Sequence, residues 1–175
     1  GKSFKFSEKS LLQKIKQQFG KSASAHDSLL VHGIGDDAAV FRGQANKFWL
    51  ATSDVQVEGV HFDLNLIRFP ELGARAFHVA VSDIAAMGGV PRFALLSLVI
   101  PKRISQQDLG KLMTAFNREA RTEKVQLIGG NVSSAVSHLS IDVFVLGQVS
   151  PDQVILRKGA RPGDSIYTTG NMGQA

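Results

Sequence analysis

The stretch from Pro70 to Ile100 constrains the fold of this chain more than any other. Between Pro70 and about Met87 the apolar residues Leu72, Phe77, Val81, Ile84 and Ala85 recur every three to four positions, the period of a helix that buries one side. Gly88-Gly89 closes that helix, and Pro91 disfavours helical geometry in the residue before it. Phe93 to Ile100 is then almost continuously apolar between two prolines, the pattern of a strand buried on both faces. A helix that feeds a core strand this directly commits the chain to layers of helix and sheet.

The flanking segments decide the arrangement of those layers. Ser7 caps a segment in which Leu11, Leu12, Ile15 and Phe19 keep helical spacing, predicting an amphipathic helix that Gly20 ends. Ala38 to Phe41 and Lys47 to Ser53 read as strands, the second delivering Asp54 at its carboxyl end. Ser105 to about Lys124 is a second long helix with Leu109, Leu112, Met113 and Phe116 inward. Gln126 to Ile128 forms a short strand entering Gly129-Gly130-Asn131, His138 to Val149 a long one, and Ser165 to Thr169 a last one. Strands that cluster at both ends favour an α+β fold, a mixed and mainly antiparallel sheet with helices on one face, over a doubly wound α/β fold.

At 175 residues and 43% hydrophobic content the chain supports one core, expected over residues 1–165, with 166–175 read as the start of a linker to a further domain. With no cysteine, disulfides, thiolate metal sites and a cysteine nucleophile are excluded, and any metal must be held by oxygen or imidazole. Oxygen donors suit hard cations such as magnesium. The net charge of +5 is carried by dispersed Lys and Arg residues, which reads as a solvated surface rather than a nucleic-acid footprint. No apolar run nears the ~18 residues that cross a bilayer, and Gly1-Lys2-Ser3 does not begin a signal peptide, so a cytoplasmic protein is expected.

Acids stand in unusual settings. Gly33-Ile34-Gly35-Asp36-Asp37 sets two of them after a glycine-bracketed turn, where they either converge on a cation or simply shape the turn. Thr52-Ser53-Asp54 adds two hydroxyls and an acid. Asp83 lies among Ala80, Val81, Ile84, Ala85 and Ala86, so a cationic or hydrogen-bonding partner must face it. Were Asp37, Asp54 and Asp83 to converge, carboxylates ~4 Å apart would repel by roughly 4 kcal/mol per pair at an effective dielectric near 20. Divalent ions relieve such repulsion and in turn attract a nucleotide polyphosphate. Neither Gly88-Gly89 nor Gly129-Gly130 resembles a Walker motif, and no protein-kinase or G-x-S-x-G signature is present. Arg157 is a phosphate contact or a solvated basic turn, and His61 a substrate contact or a structural residue.

Taken in order, these segments resemble the thiamine-monophosphate kinase family, part of a superfamily with aminoimidazole ribonucleotide synthetase, selenophosphate synthetase and a hydrogenase-maturation enzyme. The resemblance runs through Gly33 to Val40, Thr52-Ser53-Asp54, VEGVHF at Val57 to Phe62, SDIAAMGG at Ser82 to Gly89, Leu127 to Gly130 and Arg161-Pro162-Gly163-Asp164. It implies transfer of the ATP γ-phosphoryl group to thiamine monophosphate, with no general base needed because the acceptor is already ionised. It further implies that Asp37, Thr52, Ser53, Asp54 and Asp83 coordinate magnesium, that Gly130 and Arg157 contact nucleotide, and that His61 contacts substrate. The family's GGD is Gly129-Gly130-Asn131 here, so Asn131 would offer metal and nucleotide a neutral oxygen. Gln56 is polar where the family tends to be apolar, which bears on local packing. The family also has a second α/β domain that completes the site, and amino-terminal domains that pair as homodimers, making Phe93 to Ile100 an expected interface. The alternatives are another ATP-dependent enzyme of the superfamily, or a non-catalytic dimerisation or nucleotide-sensing module.

Overall fold

A computed structural model describes residues 7–23 and 29–168. The elements are α1 (Glu8–Ala23), β1 (Leu30–His32), β2 (Ala39–Arg42), β3 (Phe48–Val57), α2 (Phe69–Ala86), β4 (Val90–Pro101), α3 (Gln106–Thr122), β5 (Gln126–Ala135) and β6 (Ser140–Val149). The strands form one six-stranded sheet in the order β1-β2-β3-β6-β4-β5, antiparallel except for the β4–β5 pair. The mixed α+β sheet expected from the sequence is therefore the fold, with α2 and α3 packed on one face.

Alternation explains which face is covered. On β6, Ile141, Val143 and Val145 are fully buried while Phe144 and Leu146, at the alternate positions, are only half-buried. Leu50, Leu96 and Leu98 join the buried set and meet Leu72, Phe77 and Ile84 of α2, while Phe77 packs edge-on against Phe116 of α3 with ring centroids 5.5 Å apart. The helices approach closely at Gly73, where a Cβ would lie 2.2 Å from the Leu112 carbonyl oxygen. Ser105 caps α3 by accepting a hydrogen bond from the Asp108 backbone N–H at 3.1 Å.

Several elements differ from the sequence reading. Helix α1 continues past Gly20 to Ala23, because a single glycine costs a helix only ~1 kcal/mol and the residues after it do not bar helix. Residues 30–32 pair with β2 as a short strand that the apolar pattern did not announce. Strand β4 alternates rather than being buried on both faces, with Phe93, Leu95 and Val99 only half-buried on the side away from the helices. Strand β5 runs on through Gly129-Gly130-Asn131 to Ala135, held by its parallel pairing with β4. Residues 165–168 form no strand, and Thr169 lies outside the described residues. Nothing covers the apolar residues of that segment: Ile166 and Tyr167 are almost fully exposed.

Candidate functional site

Strand β3 and helix α2 run antiparallel, and their rises match. From Gln56 back to Thr52 the strand covers about 13 Å, and from Arg75 to Asp83 the helix climbs about 12 Å. Two polar pairs are thereby brought into register across an otherwise apolar interface. The Thr52 hydroxyl donates to Asp83 Oδ2 at 2.8 Å and lies 3.2 Å from the Asp37 carbonyl oxygen, and Arg75 Nε donates to Gln56 Oε1 at 3.3 Å. The hydrogen-bonding partner that Asp83 demands is thus Thr52, itself 8% exposed.

Asp54 lies inside β3, three residues before its end, instead of beyond it. Thr52, Asp54 and Gln56 share the helix-facing side, and the Gln56 amide donates to Asp54 Oδ1 at 2.8 Å. Ser53 points to the opposite face, where its hydroxyl donates to Asp142 Oδ1 at 2.8 Å. Asp37 is brought in by the turn before β2. The Ala38 N–H bonds the Met87 sulfur at 3.0 Å, fixing that turn to the end of α2.

Arg157 closes the same corner. Its backbone N–H donates to Asp36 Oδ1 at 3.2 Å, and its guanidinium forms an ion pair with Asp37, with Nε donating at 3.0 Å. Electrostatics join the acids as well. Burial raises the Asp83 carboxyl above its ordinary pKa, the Thr52 hydrogen bond opposes that shift, and the charges of Asp37 and Asp54 add to it. The Asp37 hydrogen bond and charge raise the Arg157 guanidinium still further above its ordinary range. Beside these residues opens a cleft of about 710 Å³, lined by Gly35, Asp36, Asp37, Thr52, Ser53 and Arg157, with Lys16 of α1 over Gly35.

Asp37, Asp54, Asp83, Thr52 and Arg157 therefore share one neighbourhood, and Ser53 lines the cleft beside them, while Gly130, Asn131 and His61 stand apart. Gly130 and Asn131 lie on β5, separated from β3 by β6 and β4 and hence roughly 14 Å away at ordinary strand spacing. Gly130 is required by packing, since a Cβ there would meet the Leu96 carbonyl oxygen at 1.8 Å. His61 occupies the turn after β3, where its Nδ1 accepts from the Val57 N–H at 3.0 Å and its carbonyl accepts from Arg75 at 3.2 Å.

Among the described residues, no three or more His, Cys, Asp or Glu side chains are arranged to hold a metal ion. Arg157 occupies Asp37, and Gln56 occupies one oxygen of Asp54. The donors are nevertheless all oxygen, the kind a hard cation takes, and the charges of Asp37 and Asp54 add to the rise that burial chiefly causes at Asp83. The donor set fits magnesium. Arg75 has no place among the sequence motifs, and Gln56, expected to bear on local packing alone, hydrogen-bonds to Asp54 and Arg75. Their signal is periodic: three polar residues occupy alternate positions 52, 54 and 56 on the core side of a strand.

Comparison with known proteins places the chain in a family and a fold. The model of the family described as AIR synthase related protein, N-terminal domain, matches residues 35–149. Thiamine-monophosphate kinase of Bacillus subtilis (strain 168) is 35% identical over 150 residues, covering 86% of this chain and 46% of its own length. Thiamine-monophosphate kinase of Aquifex aeolicus (strain VF5) is 36% identical over 143 residues, with coverage of 81% and 45%. The solved structure of AaThiL complexed with AMPPCP and TMP superposes with a TM-score of 0.75 at 32% identity, covering 88% of this chain and 45% of that one. The structure of tt0281 from Thermus thermophilus, at 20% identity and a TM-score of 0.72, shares the fold. The chain spans just under half the length of these relatives.

Proposed function

The chain belongs to the AIR synthase related family, whose N-terminal domain its residues 35–149 match, and on that premise we propose that it forms the magnesium- and ATP-binding domain, assigned to residues 1–165, of a thiamine-monophosphate kinase. In this reading the whole protein transfers the ATP γ-phosphoryl group to thiamine monophosphate, giving thiamine diphosphate. One observation carries it. Asp54 of β3 and Asp37 of the turn before β2 both bear electrostatically on Asp83 of α2, whose partner Thr52 lines an open cleft with Asp37, in a chain whose similar proteins are thiamine-monophosphate kinases. Magnesium would be held by Asp37, Thr52, Asp54 and Asp83, with Ser53 joining from the other face of β3, and it would neutralise the phosphate charge. Arg157 would exchange Asp37 for a nucleotide phosphate, since a guanidinium binds both anions in the same bidentate manner. His61 would contact the acceptor, with further acceptor contacts in the half of the relatives' length that this chain does not span.

The test is calorimetric titration with AMPPCP in the presence and absence of magnesium, for the unmodified chain and for Asp54→Asn. Magnesium-dependent heat that the variant loses is expected; heat independent of magnesium, or none, would defeat the reading and favour a structural module. Formation of thiamine diphosphate is then assayed on the whole protein.

The outer face of the sheet presents Trp49 stacked on Phe93 with centroids 6.2 Å apart, beside half-buried Leu95, Phe144 and Leu146. This apolar face supports a homodimer. Because a single chain leaves Asn131 far from Asp54, its share in metal and nucleotide binding, with that of Gly130, would be toward the acids of a second copy. Asn131→Asp is then expected to tighten magnesium binding in the dimer, and unchanged magnesium dependence would remove residue 131 from the site. Among the described residues no helix is long and apolar enough to cross a membrane, and a cytoplasmic location is part of the proposal.

A further inference from the structure

Gln56 is a buried polar residue, 4% exposed, in the core of the β3–α2 interface. Its amide is engaged at both ends: Oε1 accepts from Arg75 Nε at 3.3 Å, and Nε2 donates to Asp54 Oδ1 at 2.8 Å. Arg75 is a donor only, so the amide cannot turn round without setting two donors face to face. The Asp54 carboxylate is therefore always offered a hydrogen, which commits one oxygen and leaves the other free. The same Arg75 donates from Nη2 to the His61 carbonyl at 3.2 Å, so one guanidinium anchors both the turn bearing His61 and the amide that orients Asp54.

We infer that Gln56 and Arg75 are positioning residues of the acid site, a hydrogen-bonded relay that holds Asp54 with one oxygen presented to a divalent cation and couples that geometry to the His61 turn. The inference rests on the magnesium reading given above. It deepens that reading by assigning the outer shell of one ligand. Groups that orient a metal ligand commonly change metal affinity 10–100-fold when removed, whereas a pair that only packs changes stability alone. Magnesium's demand for near-octahedral geometry makes a fixed, single-oxygen carboxylate preferable to a freely rotating one.

The experiment titrates magnesium in the presence of AMPPCP by calorimetry, with a urea denaturation of each protein, for the unmodified chain, Gln56→Leu, Arg75→Leu and Asp54→Asn. Gln56→Leu keeps the volume and removes both hydrogen bonds, and it is expected to weaken magnesium binding about 10-fold. Arg75 is exposed enough for its variant to fold, and Arg75→Leu is expected to weaken magnesium binding in the same direction by a smaller factor. Unchanged magnesium affinity in both variants, with or without a loss of stability, overturns the relay while Asp54→Asn still weakens binding. If Asp54→Asn also leaves magnesium affinity unchanged, the metal reading fails and the relay falls with it.

Discussion

At the scale of single residues, Asp83 is where stability and function oppose each other. Its carboxyl is raised above the ordinary aspartate value of 3.8 chiefly by burial, with Asp37 and Asp54 adding to the shift. The folded protein thus holds the Asp83 proton to higher pH than the unfolded chain does. The stability this gives is fully present below the ordinary value and is lost as pH rises through the folded one. Asp83→Asn removes that step and keeps an oxygen to accept the Thr52 hydroxyl. In metal-free protein the variant is expected to be the more stable of the two at pH 7, with the advantage vanishing toward pH 3, while its magnesium-dependent binding of AMPPCP falls. Urea titrations across this range check it, and a pH-independent difference would show that Asp83 is not under electrostatic stress. The sequence disclosed this residue because a carboxylate among alanines and an isoleucine on a helix has no innocent surroundings. Gln56 was harder to read, since a glutamine in a strand is unremarkable until the strand's inner side is known.

At the scale of elements, what the sequence made legible was governed by periodicity, and what it concealed was governed by partners. The limits of α2 and α3 are close to those the apolar period and caps predict, because local signals determine both. Strand lengths are set by neighbours: β5 extends through two glycines because β4 offers it a parallel edge, whereas residues 165–168 find no edge and remain irregular. Gly73 belongs to the concealed kind, a helical glycine whose purpose is visible only once α3 lies on it. Gly73→Ala would set a methyl 2.2 Å from the Leu112 carbonyl oxygen, which neither backbone can yield cheaply. Any gain in helix propensity is ~1 kcal/mol, and overpacking costs about 1–3 kcal/mol. A net loss of up to about 2 kcal/mol in urea denaturation is expected, and a stabilised variant would mean that the helices separate freely.

At the scale of the molecule, the sheet has a covered face and an open one, and the open face carries the apolar patch on which the proposed homodimer rests. Leu95, Phe144 and Leu146 are adjacent there through the registers Leu95↔Phe144 and Phe93↔Leu146, beside the stacked Trp49 and Phe93. In one chain these side chains are only half-buried, so covering them with a second copy removes further apolar surface from water without disturbing the α2–α3 layer. Phe144 is at the centre, flanked by Ser53 on β3 and Leu95 on β4. Phe144→Lys should therefore convert a sedimenting dimer into a monomer while the cooperative unfolding transition survives, since the new ammonium points away from the core. The dimer reading makes a second demand on the same variant. If Asn131 acts on the acids of a second copy, adding Asn131→Asp to the Phe144→Lys monomer should no longer tighten magnesium binding. An unmodified chain that sediments only as a monomer, or a monomeric variant in which Asn131→Asp still tightens the metal, would return Asn131 to its own chain and require β5 to move.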